Sequence, residues 1–258
     1  MTWINTIMIP YLTNNQPYLN LESEVDLAGV QSIELDIALG LTKSRHLITD
    51  GTTSYESSYK NEFQTNKKNL MDETWPEKLK DLNNKFYEYY KQLDFDRADC
   101  RMFTKYAGEY LQLGQILNLR HANSPNPYKD KGRADLCCDT EAYQHFPSLK
   151  DWINNQKIFT EIGRILFFLN GPGEEPLIHW DKYSGTREHF ILINLHPGIR
   201  KKSFLLDDAG NKVFIDSKVY TFDTRNYHGT TGLGFPSWTL RIDGQFESSW
   251  AKRVWLGN

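Results

Sequence analysis

The chain has 258 residues, 39% of them hydrophobic, 24% charged and 14% aromatic, a balance that excludes a disordered chain and fits one compact domain. Its formal net charge of -3 supplies no basic excess for phosphate contacts, which argues against a nucleic-acid partner. Cys100, Cys137 and Cys138 are odd in number and two are adjacent, which excludes a disulfide framework and suits packed or surface thiols in a reducing cytoplasm.

In chain order, the opening from Met1 to Pro10 is apolar but short, has no basic leader and is cut by a proline. It does not read as a targeting segment. No apolar run approaches the roughly 18 residues of a membrane helix, so a soluble, cytoplasmic protein with no membrane partner is expected. From about Leu21 to Tyr110 the chain is rich in Lys, Asn, Glu and Tyr, and its patterning is helical. The clearest helix opens at Trp75-Pro76-Glu77, with Leu79, Leu82, Phe86 and Tyr90 forming one apolar stripe. Asn123 to Gly132 is a polar loop containing proline and glycine, either a lid beside a site or a surface connection.

After Ile158 the texture changes to strands. They are expected at Thr160 to Asn170, Arg187 to His196, Ser203 to Leu206, Lys212 to Ile215, Val219 to Phe222 and Trp238 to Phe246. Asp207 to Asn211 makes a hairpin turn between two of them. The expected class is α+β in a single domain, 1–258. Residues 1–157 form a mainly helical or mixed supporting region, and residues 158–250 a β-rich sandwich, jelly roll or barrel.

Three residues with metal-ligand chemistry fall in the strand-rich half. His179 and Asp181 lie two apart, so on a strand both side chains reach one face and one ion. His228 follows 49 residues after His179. Two imidazoles and one carboxylate leave three positions of an octahedron open, the arrangement used for iron(II) and dioxygen chemistry. Either histidine alone reads equally well as structural. Arg241 comes 13 residues after His228, and its planar fork suits the distal carboxylate of a co-substrate. Alternation puts Thr239, Arg241 and Asp243 on one strand face and Trp238, Leu240 and Ile242 on the other. On the preceding long strand, Arg187, His189, Ile191, Ile193 and Leu195 share a face, and an inward arginine calls for a nearby anion. Arg187 could equally pair with a surface carboxylate such as Glu188. His46, His121, His145 and His196 read as ordinary surface or loop histidines.

This pattern resembles the iron(II) and 2-oxoglutarate-dependent oxygenases, whose core is a double-stranded β-helix (jelly-roll, cupin-like). The match runs from about Thr160 to Phe246 and rests on His179-Trp180-Asp181, His228 and Arg241 in that order. Arg187-Glu188-His189 looks like the aspartyl/asparaginyl β-hydroxylase branch, some of whose members lack the carboxylate ligand that Asp181 supplies here. The resemblance implies iron(II) on His179, Asp181 and His228. It implies 2-oxoglutarate on Arg241, assisted by Thr239, with Arg187 and His189 also holding the co-substrate. It further implies consumption of O2, release of succinate and CO2, and hydroxylation of a C–H bond. An amino-acid or peptidyl side chain ranks first as substrate, a small metabolite second and a nucleobase third; oligomeric state is left open. Two other classes stand beside this one: a non-catalytic cupin-type binding module, and a metal-dependent hydrolase or isomerase using the same three ligands. Whether Arg241 projects into the same cavity as those ligands separates them.

Overall fold

The computed structural model describes residues 17–50, 115–124, 130–170, 189–195, 203–207, 210–224, 226–233 and 237–256. The helix expected after Trp75 lies outside these. Among the described residues the elements in chain order are β1 (Tyr18–Asn20), α1 (Leu27–Ser32), α2 (Glu34–Lys43), β2 (Thr49–Asp50), β3 (Gln115–Ala122), β4 (Cys137–Asp139), α3 (Pro147–Asn155), β5 (Phe159–Asn170), β6 (His189–Asn194), β7 (Ser203–Leu206), β8 (Lys212–Phe214), β9 (Val219–Phe222), β10 (His228–Thr230), β11 (Ser237–Phe246) and α4 (Ser248–Leu256).

Two antiparallel sheets result. The larger has the order β1-β9-β6-β11-β5-β3-β2, with β4 pairing β3; the smaller has the order β10-β7-β8. The chain alternates between them. From β6 it crosses to β7 and β8, returns to β9, crosses again to β10 and returns to β11. That path is a double-stranded β-helix. The hairpin between β7 and β8 closes as its turn residues demand: Gly210 sits at φ 72°, and the Asp207 carboxylate accepts from the Asn211 backbone at 2.6 Å.

The large sheet is covered on both faces. One face, with Leu117, Leu119, Ile165, Phe167, Ile191, Ile193, Leu240 and Ile242, packs against Val30 of α1, Ile37 of α2, Leu149, Trp152 and Ile153 of α3, and Trp250 of α4. The other face meets the small sheet through Phe190, Leu192, Tyr220 and Phe222 against Leu205 and Ile215. The described part of residues 1–157 is mixed. There β1, β2, β3 and β4 join the large sheet beside α1, α2 and α3, because the edges of β9 and β5 have backbone groups to satisfy. No helix among the described residues is long and apolar enough to cross a membrane.

Candidate active site

Arg241 lies in the middle of β11, opposite Leu192 of β6 and Leu166 of β5. The residues alternating with it, Leu240 and Ile242, belong to the helix-side core, so Arg241 faces the interior between the two sheets. It is 7% exposed. Its guanidinium lies over the Phe190 ring, 4.2 Å from the centroid, where the ring's negative face attracts a cation. Its Nε donates to Asp243 Oδ1 at 2.9 Å, and Nη2 approaches the same oxygen at 2.8 Å. The other oxygen, Asp243 Oδ2, accepts from Arg164 Nε of β5 at 2.9 Å.

Asp243 is 1% exposed. Burial alone would raise its carboxyl, but Arg164, Arg241 and Lys131 outweigh this and hold it below the ordinary carboxylate range. Lys131 arrives from the turn before β4 and is itself buried. Two guanidiniums therefore hold one carboxylate, and the Lys131 charge adds to the positive field at it.

Deeper along the same face, Thr239 pairs with Asn194, and its hydroxyl donates to Asn194 Oδ1 at 3.0 Å. Asn194 is 5% exposed, and among the described residues its Nδ2 has no hydrogen-bond partner. A buried donor left in that condition costs free energy unless a ligand or water meets it.

His228 enters the same interior from the small sheet. It stands opposite Leu205, a residue of the core between the sheets, and its ring lies 5.0 Å from that of Phe222. Phe222 in turn meets Phe190 edge-on at 5.4 Å. A continuous aromatic contact thus runs from His228 through Phe222 and Phe190 to Arg241. Nδ1 of His228 lies 2.8 Å from the Asn226 carbonyl. That carbonyl can only accept, so Nδ1 carries a proton, and in the neutral ring the lone pair then sits on Nε2. Such a bond orients a ligating histidine.

The structure does not bring His189 to this group. Its ring stacks on Phe246 at 4.7 Å, and its Nδ1 accepts from the Phe246 backbone at 3.1 Å. Phe246 belongs to the helix-side core, as do Ile191 and Ile193. The row read as inward on this strand therefore faces the helices, and Phe190, Leu192 and Asn194 face the interior. Both rows are apolar because both faces of the sheet are buried, so alternation alone could not choose between them. His179, Asp181 and Arg187 lie outside the described residues. Among those described, no group of three His, Cys, Asp or Glu side chains is placed to hold a metal ion.

The described residues offer one side chain able to ligate a metal, His228, and a buried cation, Arg241, on the same interior. A histidine held at Nδ1 by a carbonyl, an arginine and an amide unpartnered among the described residues face one interior. Sequence reading missed Asn194, Arg164 and Lys131 as contributors. The available signal was a charged or amide residue at interior parity within an apolar strand, which holds for Arg164 and Asn194. His121, read as a surface or loop histidine, instead lies half-buried on β3, where burial and then the Arg164 charge lower its pKa. Of the cysteines, Cys137 is buried and Cys138 exposed.

No protein-family model matches the chain, and no curated protein matches it. Several solved structures are similar to it at low identity. A prolyl hydroxylase from Trichoplax adhaerens, crystallised with a hypoxia inducible factor oxygen degradation domain peptide fragment, is 13% identical over 88% of this chain and 94% of its own, with a TM-score of 0.32. An oxidoreductase of the 2OG-Fe(II) oxygenase family from Burkholderia pseudomallei is 9% identical over 50% and 66%, with a TM-score of 0.35. A prolyl-4-hydroxylase from Pseudomonas putida is 15% identical over 40% and 65%, with a TM-score of 0.28. The chain spans just under two thirds of the length of the last two. None of these likenesses assigns a residue or a reaction, and the site rests on the geometry described above.

Proposed function

We propose that this chain is a non-haem iron(II), 2-oxoglutarate-dependent dioxygenase that hydroxylates an unactivated C–H bond, releasing succinate and CO2. The observation that carries the reading is that His228 and Arg241 enter one interior from opposite sheets, joined by Phe222 and Phe190. His179, Asp181 and His228 would hold the iron. When bound, iron(II) supplies the activation of O2 that is coupled to oxidative decarboxylation of the 2-oxo acid.

The chain's own residues bind, orient and exclude water. Arg241 takes the distal carboxylate of 2-oxoglutarate, with Thr239 and Asn194 offering polar atoms further along the same face. The Asn226 carbonyl keeps the His228 proton on Nδ1 and so presents Nε2. Phe190 and Phe222 line the space between these groups with apolar surface, which keeps it dry and strengthens the charge contacts. His189 drops out of the co-substrate set because it faces the helices, and with it goes most of the support for the aspartyl/asparaginyl β-hydroxylase branch. Arg187 keeps its assigned role as a proposal from sequence. An amino-acid or peptidyl side chain remains the first substrate class to try.

The experiment is succinate formation. Protein purified without oxygen is given iron(II) and 2-oxoglutarate, then oxygen, with and without a panel of peptides and amino acids. Succinate should require iron and vanish in His179→Ala, and Asp181→Ala should greatly weaken iron binding. Arg241→Ala should raise the 2-oxoglutarate requirement about 30-fold or more, the usual cost of stripping one partner from a desolvated charge pair. No turnover, together with no 2-oxoglutarate binding by calorimetry, would leave a cupin-type binding module or a metal-dependent hydrolase.

A further inference from the structure

Three rungs join β6 to β11 on the interior face: Phe190 with Asp243, Leu192 with Arg241, and Asn194 with Thr239. The Arg241 side chain leaves its own rung. Its guanidinium lies 4.2 Å from the Phe190 ring centroid and its Nε donates to Asp243, so it leans away from Asn194. Leu192, buried and apolar, occupies the rung between them. Phe190 and Asn194 are four residues apart on β6, which is about 13 Å of strand.

Asn194 departs from the apolar character of its row. It is 5% exposed. Its Oδ1 accepts from the Thr239 hydroxyl at 3.0 Å, which sets the amide so that Nδ2 is the atom left over. Among the described residues Nδ2 has no hydrogen-bond partner. An apolar side chain, as at Leu192 and Phe190, would fill the position without the cost of an unmet donor. The donor is therefore held for an acceptor that is not part of the chain.

The interior thus presents a cation at one end, an uncharged donor at the other and hydrocarbon between. Its complement is a small acyclic molecule with an acceptor oxygen at each end and a short hydrocarbon middle. We propose that Asn194 is a specificity-determining residue for the co-substrate: its Nδ2 donates to the 1-carboxylate of 2-oxoglutarate, whose other carboxylate is held by Arg241. The inference rests on the co-substrate reading above and adds the recognition of the second end. Five carbons in extended form, with a hydrogen bond of about 2.9 Å at each end, span a gap of that order. Shorter diacids leave one end unmet. Donation to one carboxylate oxygen leaves the other open to a metal.

The test is binding of three acids to protein supplied with zinc(II), which has no redox chemistry, followed by calorimetry and ligand-observed NMR. The acids are 2-oxoglutarate, 4-oxopentanoate, in which a methyl replaces the 1-carboxylate, and 2-oxopentanoate, in which a methyl replaces the distal carboxylate. Asn194→Leu should weaken 2-oxoglutarate and 2-oxopentanoate by about tenfold or more, the usual worth of a hydrogen bond to a charged group. It should change 4-oxopentanoate by less than about twofold, since that acid shares no partner with the amide. Arg241→Ala should show the reverse pattern, sparing 2-oxopentanoate alone.

A folded Asn194→Leu that binds all three acids like wild type, or weakens all three alike, overturns the inference. Should Asn194→Leu fail to fold, the Asn194 side-chain amide of the wild-type protein is followed by nitrogen-15 NMR. A shift with 2-oxoglutarate and 2-oxopentanoate but not with 4-oxopentanoate sustains the inference; no shift, or one shift common to all three, overturns it. If binding follows the expected pattern yet no succinate forms from 2-oxoglutarate with iron(II) and oxygen, the oxygenase reading falls and the role of Asn194 stands. If wild type binds none of the three, both fall.

Discussion

Asp243 illustrates how much one buried side chain can decide. It is 1% exposed and in contact with Arg164 and Arg241. Removing it takes an anion from the midst of cations that burial keeps from water. Asp243→Ala should therefore cost about 3–5 kcal/mol of stability at neutral pH, read as a lower urea midpoint at unchanged slope. The same contact carries a pH signature. Burial acts to raise the Asp243 carboxyl, and the three cations win and lower it. A carboxyl lowered on folding binds fewer protons in the native state than in the unfolded chain. Its contribution is complete above the unfolded value, about 3.9, and is lost as pH falls through the lower folded value. Asp243→Asn should thus flatten the acid limb of stability against pH while leaving the neutral region parallel to wild type. An acid limb of unchanged steepness would show that other carboxylates govern acid unfolding. Sequence alternation put Asp243 and Arg241 on one face. It did not pair Asp243 with Arg164, because that bond closes across 79 positions of chain.

At the scale of elements, the site depends on a close backbone approach. The turn holding Lys131 lies on β5, where the Lys131 carbonyl accepts from the Arg164 amide at 2.7 Å. A Cβ on Gly163 would stand 2.3 Å from that carbonyl oxygen. Only glycine permits the approach. Gly163→Ala should push the turn from the strand, cost about 1–3 kcal/mol, and speed hydrogen exchange of the Arg164 amide more than that of the central β11 amides. Equal protection of the Arg164 amide in both proteins would mean the turn yields without cost. The strands themselves were legible. Ser203 to Leu206 and Val219 to Phe222 were expected and occur at those bounds, since short apolar runs between turn residues leave few alternatives. The short pairing strands β1, β2 and β4 were not, because two or three residues carry no periodicity.

Across the described residues, the two sheets are tied by apolar packing and by a buried polar link. Ser203 of β7 and Tyr220 of β9 share a hydrogen bond of 2.8 Å between their hydroxyls. Burial pushes the Tyr220 phenol up to about 12, so the link persists through neutral and mildly alkaline pH. Tyr220→Phe should cost about 1–3 kcal/mol, because the Ser203 hydroxyl stays buried without that partner, with a Tm drop as the readout. A Tm within error of wild type would assign sheet-to-sheet cohesion to Leu205, Ile215 and Phe222 alone. Much of this architecture is non-local: Leu19 pairs with Thr221 and Tyr18 with Phe222. Cohesion of that kind appears only when the chain closes.

The sequence by itself determined the β-rich second half, the parity of Thr239, Arg241 and Asp243, and the order of the residues with metal and anion chemistry. Local chemistry suffices for these, since turns, alternation and side-chain type are properties of neighbouring residues. The tertiary structure decided which buried face of β6 is the interior. It thereby removed His189 from the site, brought Asn194 beside Thr239, and assembled Arg164 and Lys131 around Asp243. Those outcomes depend on which layer covers which face, and a sheet buried on both sides does not show that in its own alternation.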